Sequence, residues 1–296
     1  MNGGLSTFLQ ILLRSLETGG VYALAALAII IVLRTSSVAH FAQGTMSMFS
    51  TYVVATLCAK RGWPLLQSLC VGVLAAVAMA FFVDFFIIRR AKKATAVGKE
   101  IITLGLIMVF LGLAPMVFGV DPLLMPKAIP RGGDFKFLGA SLSHNALLNI
   151  SIGLLFMSLL FFILQKTKIG LAVRVTASNE PIARLMGVST RNITLLAWIV
   201  AGILGLLSGV MIAPATTVST VLMNPVQLNA LFACVLGGFQ TFYGPVVGAY
   251  IIGIGRNLLM YYVSSEWGEQ ILYVLLLAFL LIRPNGLIGR RFVKKV

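Results

Sequence analysis

The chain has 296 residues, of which 59% are hydrophobic and 10% charged, with a mean hydropathy of +1.01. A water-soluble domain carries about 25% charged residues, so the composition excludes one and indicates a chain threaded repeatedly through a bilayer. The 23 Lys+Arg against 8 Asp+Glu give a net charge of +15, but the cations sit in blocks between apolar stretches, a pattern of membrane topology and anionic-lipid attraction rather than nucleic-acid binding.

A spanning helix needs roughly 20 apolar residues. In chain order the candidate segments are 8–33, 45–60, 64–88, 101–119, 145–165, 192–213, 227–263 and 269–283. The N-terminus has neither the cationic region nor the cleavage site of a removed signal peptide, so 8–33 is read as the first membrane element. On it, Arg14 and Glu17 are expected to pair on one helix face. Asp84, near the end of 64–88, is expected to pair with Arg89, Arg90 or a lysine. His144 and Asn145 are expected to cap 145–165. Cys58, Cys70 and Cys234 lie in apolar stretches with no CxxC or neighbouring His, and are read as packing residues.

Three basic blocks interrupt the apolar runs: Arg89, Arg90, Lys92, Lys93 and Lys99; Lys166, Lys168, Arg174, Arg184 and Arg191; Arg283, Arg290, Arg291, Lys294 and Lys295. The positive-inside rule places all three, and therefore the C-terminus, in the cytoplasm. Loops 120–144, 214–226 and 264–268 then lie outside. Segment 227–263 must start and finish on one face. At about 1.5 Å per residue its first arm, 227–239, rises about 20 Å and does not cross. A re-entrant hairpin follows, with a short arm, a turn at Gln240–Pro245 and a longer returning arm buried in protein or lining a cavity. By the same parity 8–33 runs inward from an external N-terminus. Arg34 agrees with this and Lys60–Arg61 disagree; a rival arrangement puts the N-terminus inside and makes 41–60 a second re-entrant element. Each half of the chain thus has one interrupted apolar segment, 34–47 and 236–246, and paired interruptions of this kind point to a substrate path.

The basic loop 166–191 is longer than a hairpin needs. Asn179 and Glu180 before Pro181 form a helix start, a side-chain cap followed by a first-turn proline. Ile182, Leu185 and Met186 fall on one apolar stripe, and Gly187 ends the run. The result is a short amphipathic helix of about seven residues outside the membrane. It is unstable alone and needs a surface, either the underside of its own membrane domain or another protein.

Here the chain resembles the permeases of branched-chain amino-acid ABC importers. The similarity rests on Gly170–Leu171–Ala172–Val173–Arg174 with Ala177, Ala183, Met186–Gly187 and Val188; on Gly20–Val21–Tyr22–Ala23–Leu24; on the turn His40–Phe41–Ala42–Gln43–Gly44; on Thr103–Leu104–Gly105; on Ala233–Cys234–Val235–Leu236–Gly237–Gly238 with Gly244 and Gly248; and on Arg283–Pro284–Asn285–Gly286–Leu287–Ile288–Gly289. The resemblance implies an all-α polytopic membrane protein, one permease domain over 1–296 with about eight membrane segments. It implies a coupling helix at Glu180, Pro181, Ala183, Arg184, Met186 and Gly187, seated in a groove of a cytoplasmic ATPase. It places the translocation path near His40, Phe41, Gln43, Gly44, Gly237, Gly238, Phe242, Gly244 and Pro245. The implied partners are a homologous permease subunit, two ATP-binding-cassette subunits, an extracytoplasmic solute-binding protein and membrane lipid, in a bacterial cytoplasmic (inner) membrane. No cofactor is expected on this chain, ATP and Mg²⁺ belonging to the ATPases, and no metal.

The chain departs from the family pattern at three places. His40 and Gln43 stand where the family has Asn and His, which keeps a polar turn with altered chemistry. Phe239–Gln240–Thr241–Phe242–Tyr243–Gly244 stands where the family has a small Gly-Ser turn, and bulky aromatics there are expected to narrow a passage. Arg256–Asn257 occupies a position commonly acidic, and an arginine in an apolar segment marks a polar partner or cavity. These changes bear on the solute, with branched-chain and other hydrophobic amino acids expected first and urea or short amides as variants. The chain shows no catalytic triad, HExxH, P-loop or carboxylate dyad, so catalysis is not expected. The alternative is an ion-gradient-driven secondary transporter, for which Asp84 and Glu17 are the available carboxylates.

Overall fold

The first apolar segment becomes the centre of the molecule. Residues Asn2–Ser36 form one 35-residue helix, α1. Between Val21 and Val32 it is buried on every side, as expected of a helix apolar all round. The computed structural model describes residues 2–91, 94–129, 134–137 and 140–289.

The remaining helices are α2 (Gln43–Arg61), α3 (Leu65–Phe82, continued by a π-helical segment Val83–Ile88), α4 (Ala96–Phe118), α5 (His144–Lys166), α6 (Lys168–Ser178), α7 (Glu180–Leu185), α8 (Thr190–Ile212), α9 (Asn224–Gly237), α10 (Gly244–Tyr262) and α11 (Gly268–Ile282). Five stretches, within α1, α3 with its π-helical extension, α4, α5, and α8 with the residues just after it, are long and apolar enough to cross a membrane. Two short antiparallel strands, β1 (Asp134–Phe137) and β2 (Ala140–Ser143), pair Asp134 with Ser143 and Phe137 with Ala140.

α1 packs on α5, α8, α9 and α10. Ser208 on α8 donates to Val21 O (3.0 Å), Cys234 on α9 to Ala26 O (3.5 Å), and Asn257 on α10 to Ser15 Oγ (3.1 Å). Such contacts fix register where burial alone has no direction. The α2–α8 contact is closer still. A Cβ added at Gly205 would lie 2.0 Å from Ser47 Oγ, and one at Gly209 would lie 2.1 Å from Thr51 Oγ1. Glycines four apart on one helix thus receive hydroxyl residues four apart on the other, the small-residue logic of helices packing inside a membrane.

The basic segments meet at one end. Arg34, at the end of α1, donates to Gln240 O, Arg89 to Arg191 O (3.0 Å), and Lys99, Arg184 and Arg191 line one cavity. The segment after α11 returns there, Leu287 N donating to Leu236 O (2.7 Å). Arg290, Arg291, Lys294 and Lys295 of the third block lie outside the described residues, as do Lys92 and Lys93. α1 therefore runs toward this end and α2 away from it, Lys60 donating to Phe118 O (2.9 Å) at the far end of α4. α2 begins within the bundle, its Gln43 donating to Ala201 O (2.9 Å), eleven residues along α8.

Four sequence-based expectations need correction. The loop 166–191 holds two helices rather than one: Thr167 caps α6 by accepting from Gly170 N (3.0 Å). The loop 120–144, expected without regular structure, contains the paired strands β1 and β2. Helix α5 is capped by Ser143, which accepts from Ala146 N (3.2 Å), while Asn145 bonds both backbone groups of Ile129 (3.0 and 2.9 Å). Arg14 and Glu17 form no ion pair among the described residues; Glu17 accepts from Asn149 on α5 (2.7 Å). The i, i+3 spacing allowed the first pairing, but an amide on a neighbouring helix offers a drier and better-directed donor.

Candidate coupling helix and buried turns

Helix α7 stands at the basic end, between α6 and α8. Asn179 caps it by accepting from Ile182 N (3.1 Å), with Pro181 in the first turn. Gly187 follows at φ 81°, a conformation β-carbon residues rarely adopt. Of its residues, Ala183 is fully buried against the membrane domain, whereas Ile182, Leu185 and Met186 are 50, 87 and 68% exposed. Arg184 pairs with Glu180 and donates from Nε to Thr190 Oγ1 (3.0 Å), tying the helix to the start of α8. One small face is thus fastened and one apolar face left bare. A six-residue helix with an uncovered apolar stripe gains nothing from water. Ile182 and Leu185 were legible in the apolar spacing, but the resemblance did not single them out. Beside them, Leu171, Arg174, Val175, Ser178 and Asn179 shape a shallow groove with Ile182.

The residues assigned to a path lie inside the subunit. His40 is 1% exposed and tilts against Trp198 at 4.3 Å between ring centroids. Phe41 N donates to Thr103 Oγ1 (3.3 Å) and its carbonyl accepts from Gln227 Nε2 (3.4 Å). Gln43 is buried on Ala201 O and Ser47 Oγ, and Gly44 abuts Gln227. The turn therefore plugs the space between α4, α8 and α9.

In the second interrupted segment, α9 and α10 form an antiparallel hairpin with a short first arm. A Cβ at Gly237 would lie 2.0 Å from Gly244 O, so these backbones touch, with Pro245 buried beside them. Gly238 turns the chain at φ 93° against Asn285 and Gly289. The three aromatics behave differently. Phe242 is buried beneath the Arg34 guanidinium at 4.8 Å, while Phe239 and Tyr243 point outward. Gln240, Thr241, Phe242 and Tyr243 of the second turn line a cavity of about 470 Å³ with Arg34 and Arg174.

A polar network that the sequence only hinted at joins four helices. Arg256 on α10 faces Glu269 on α11, Nε to Oε1 at 3.3 Å and Nη2 to Oε2 at 3.4 Å. Glu269 Oε1 also accepts from Asn229 on α9 (3.1 Å) and Tyr273 (2.9 Å), and Asn229 approaches the Tyr22 hydroxyl of α1 at 3.5 Å. The partner of Arg256 was not identifiable because Glu269 reads as the edge of a loop. At the other end, Asp84 pairs with Arg89 at 2.7 Å.

Fold and site together define a polytopic, all-α membrane protein with one short apolar element projecting from its basic end. The same fold, at a TM-score of 0.53 and 15% identity over 93% of this chain and 90% of the other, is present in PsaBC from Streptococcus pneumoniae solved in complex with Fab. Residues 11–280 match the family of the branched-chain amino acid transport system permease component, and the chain belongs to that family. Relatives include the high-affinity branched-chain amino acid transport system permease protein LivH of Escherichia coli K12, 26% identical over 98% of both chains. BraD of Pseudomonas aeruginosa is 26% identical, also over 98% of both, and the probable LivH of Methanocaldococcus jannaschii is 27% identical over 90% of this chain and 88% of its own.

Proposed function

We propose that this chain is one membrane half of an ATP-driven importer for branched-chain and other hydrophobic amino acids. A homologous permease subunit completes the pathway, two ATP-binding-cassette subunits bind at the cytoplasmic face, and an extracytoplasmic binding protein delivers the solute. The basic end, with the C-terminus, faces the cytoplasm of a cell whose inner membrane holds the complex. ATP and Mg²⁺ act on the partner subunits.

The observation that carries this reading is α7, with Ala183 fastened inward and Ile182, Leu185 and Met186 bare. Docked in an ATPase groove, the helix transmits closure through Arg184–Thr190 into α8 and through the α5–α6 corner at Gly170 into α5. Helix α8 is bonded to α1 at Val21 and to α2 at Gln43, so its movement shifts the elements around the buried turn at His40–Gly44. Relaxing that turn and the Gly237–Pro245 hairpin opens the path.

The test is uptake by the reconstituted complex carrying Leu185→Asp and Ile182→Asp. Burying an unpaired carboxylate in an apolar interface costs several kcal/mol, so the ATPase subunits are expected to fall away on affinity purification and uptake to drop more than about tenfold. Unchanged association and uptake would sink the coupling assignment. Transport by the purified chain alone under an ion gradient would instead establish the secondary-transporter alternative.

A further inference from the structure

The basic end encloses a chamber that the coupling role leaves unused. The end of α1, the π-helical segment, and the starts of α4, α7 and α8 surround a cavity of about 360 Å³. Its charged lining is Arg89, Lys99, Arg184 and Arg191 against Asp84 and Glu180. Both acids are already paired, Asp84 with Arg89 and Glu180 with Arg184. Lys99 and Arg191 form no salt bridge among the described residues, although Arg191 also attracts Asp84 at longer range. Arg191 rests 6.0 Å from the Phe85 ring centroid, which directs the guanidinium without neutralising it.

Four cations against two acids leave this partly enclosed space with an excess of positive charge, which an entering anion offsets. The volume exceeds by roughly tenfold the ~30 Å³ share of one liquid water, which is room enough for a tetrahedral oxyanion with part of its hydration. Arginine offers such a group a planar fork and lysine a point charge. Phe82, Phe86, Val97 and Ile101, on the two elements that contribute Asp84 and Lys99, are exposed apolar side chains, a surface suited to acyl chains.

We infer that this chamber is a phosphate-group site, held by Lys99 and Arg191, that braces α7 and α8 against α3 and α4. The phosphate comes either from the headgroup of an anionic lipid or from solution. The site does not depend on which solute is carried, and its test reads binding rather than transport. The full-length chain in detergent is examined by native mass spectrometry with phosphatidylglycerol against phosphatidylcholine. Its thermal unfolding is followed in inorganic phosphate against chloride at equal ionic strength.

Selective retention of phosphatidylglycerol identifies the lipid source, and a phosphate-specific rise in melting temperature identifies the free ion. In either case Lys99→Gln with Arg191→Gln is expected to weaken binding at least about tenfold, the scale of losing charge-assisted hydrogen bonds, and Lys99→Arg to preserve it. The ligand-free melting temperature reports whether each variant is folded. Binding of neither probe by the wild-type chain overturns the inference, as does equal binding by the neutral double variant or an equal response to chloride.

Discussion

Arg256 and Glu269 stand on neighbouring helices at the centre of a polar network, each about a quarter exposed. Removing one member of such a pair leaves the other charged and poorly hydrated, which costs more than the pair itself is worth. Glu269 keeps the donors of Asn229 and Tyr273 when Arg256 is lost, so the penalty is softened but not removed. Arg256→Leu is expected to destabilise the chain by about 1–3 kcal/mol. The further change Glu269→Gln is expected to recover part of this, because a neutral amide still accepts from both donors. Thermal unfolding in detergent checks the pair of variants; a single variant as stable as the parent would show that the network is ornamental. A second residue-scale prediction concerns Gly205, where the added Cβ would meet Ser47 Oγ at 2.0 Å. Gly205→Val must push α2 away from α8, and overpacking of this kind costs about 1–3 kcal/mol. The companion change Ser47→Gly should return some of that stability.

Helix α7 is held by one buried methyl group, one arginine and a glycine stop. Gly187 has open space around its α-carbon, so a side chain there meets backbone strain rather than a clash. Gly187→Val is expected to cost about 1–2 kcal/mol by opposing the left-handed conformation, fraying the helix so that ATP hydrolysis continues while uptake falls. Gly187→Asn, tolerated in that region, should keep uptake near the parent level; parallel ATPase and uptake assays in proteoliposomes decide it. The start of α7 was legible because Asn179, Glu180 and Pro181 are a start signal of local physics. Helix α6 was not, since Thr167 is its whole boundary and Gly170 reads as a break, although its absent side chain is what lets α6 fold back on Ile163 and Leu164. The strands β1 and β2 were hidden by the charges of β1 and by the prolines before it. The π-helical turn at Asp84 has no sequence mark, because one extra residue in a turn is set by packing. The polar residues expected on a path were legible as unusual, but not that they would be buried: His40 finds Trp198 across more than 150 positions of chain, a distance at which spacing carries no information.

At the scale of the molecule, charge and burial divide the labour. Apolar runs decide which segments cross, the basic blocks decide which end they share, and the interior is sorted by glycines and hydroxyls rather than by hydrophobicity, which has no preference between a lipid tail and a leucine. The importer reading requires that shared basic end to be cytoplasmic, which gives a whole-molecule prediction. Ser178, at the end of α6, and Ser265, between α10 and α11, are both exposed and lie at opposite ends of the bundle. Cys58 and Cys234 are buried and Cys70 is exposed, so Cys70→Ser provides a quiet background. In that background Ser265→Cys is expected to react with a membrane-impermeant maleimide in intact cells, and Ser178→Cys only in inverted vesicles. The two sites report on one rigid arrangement, so they must exchange together if orientation is wrong. Labelling of Ser178→Cys from outside would turn α7 away from any nucleotide-driven partner, and no exposed stripe of Ile182, Leu185 and Met186 would then serve as a coupling surface.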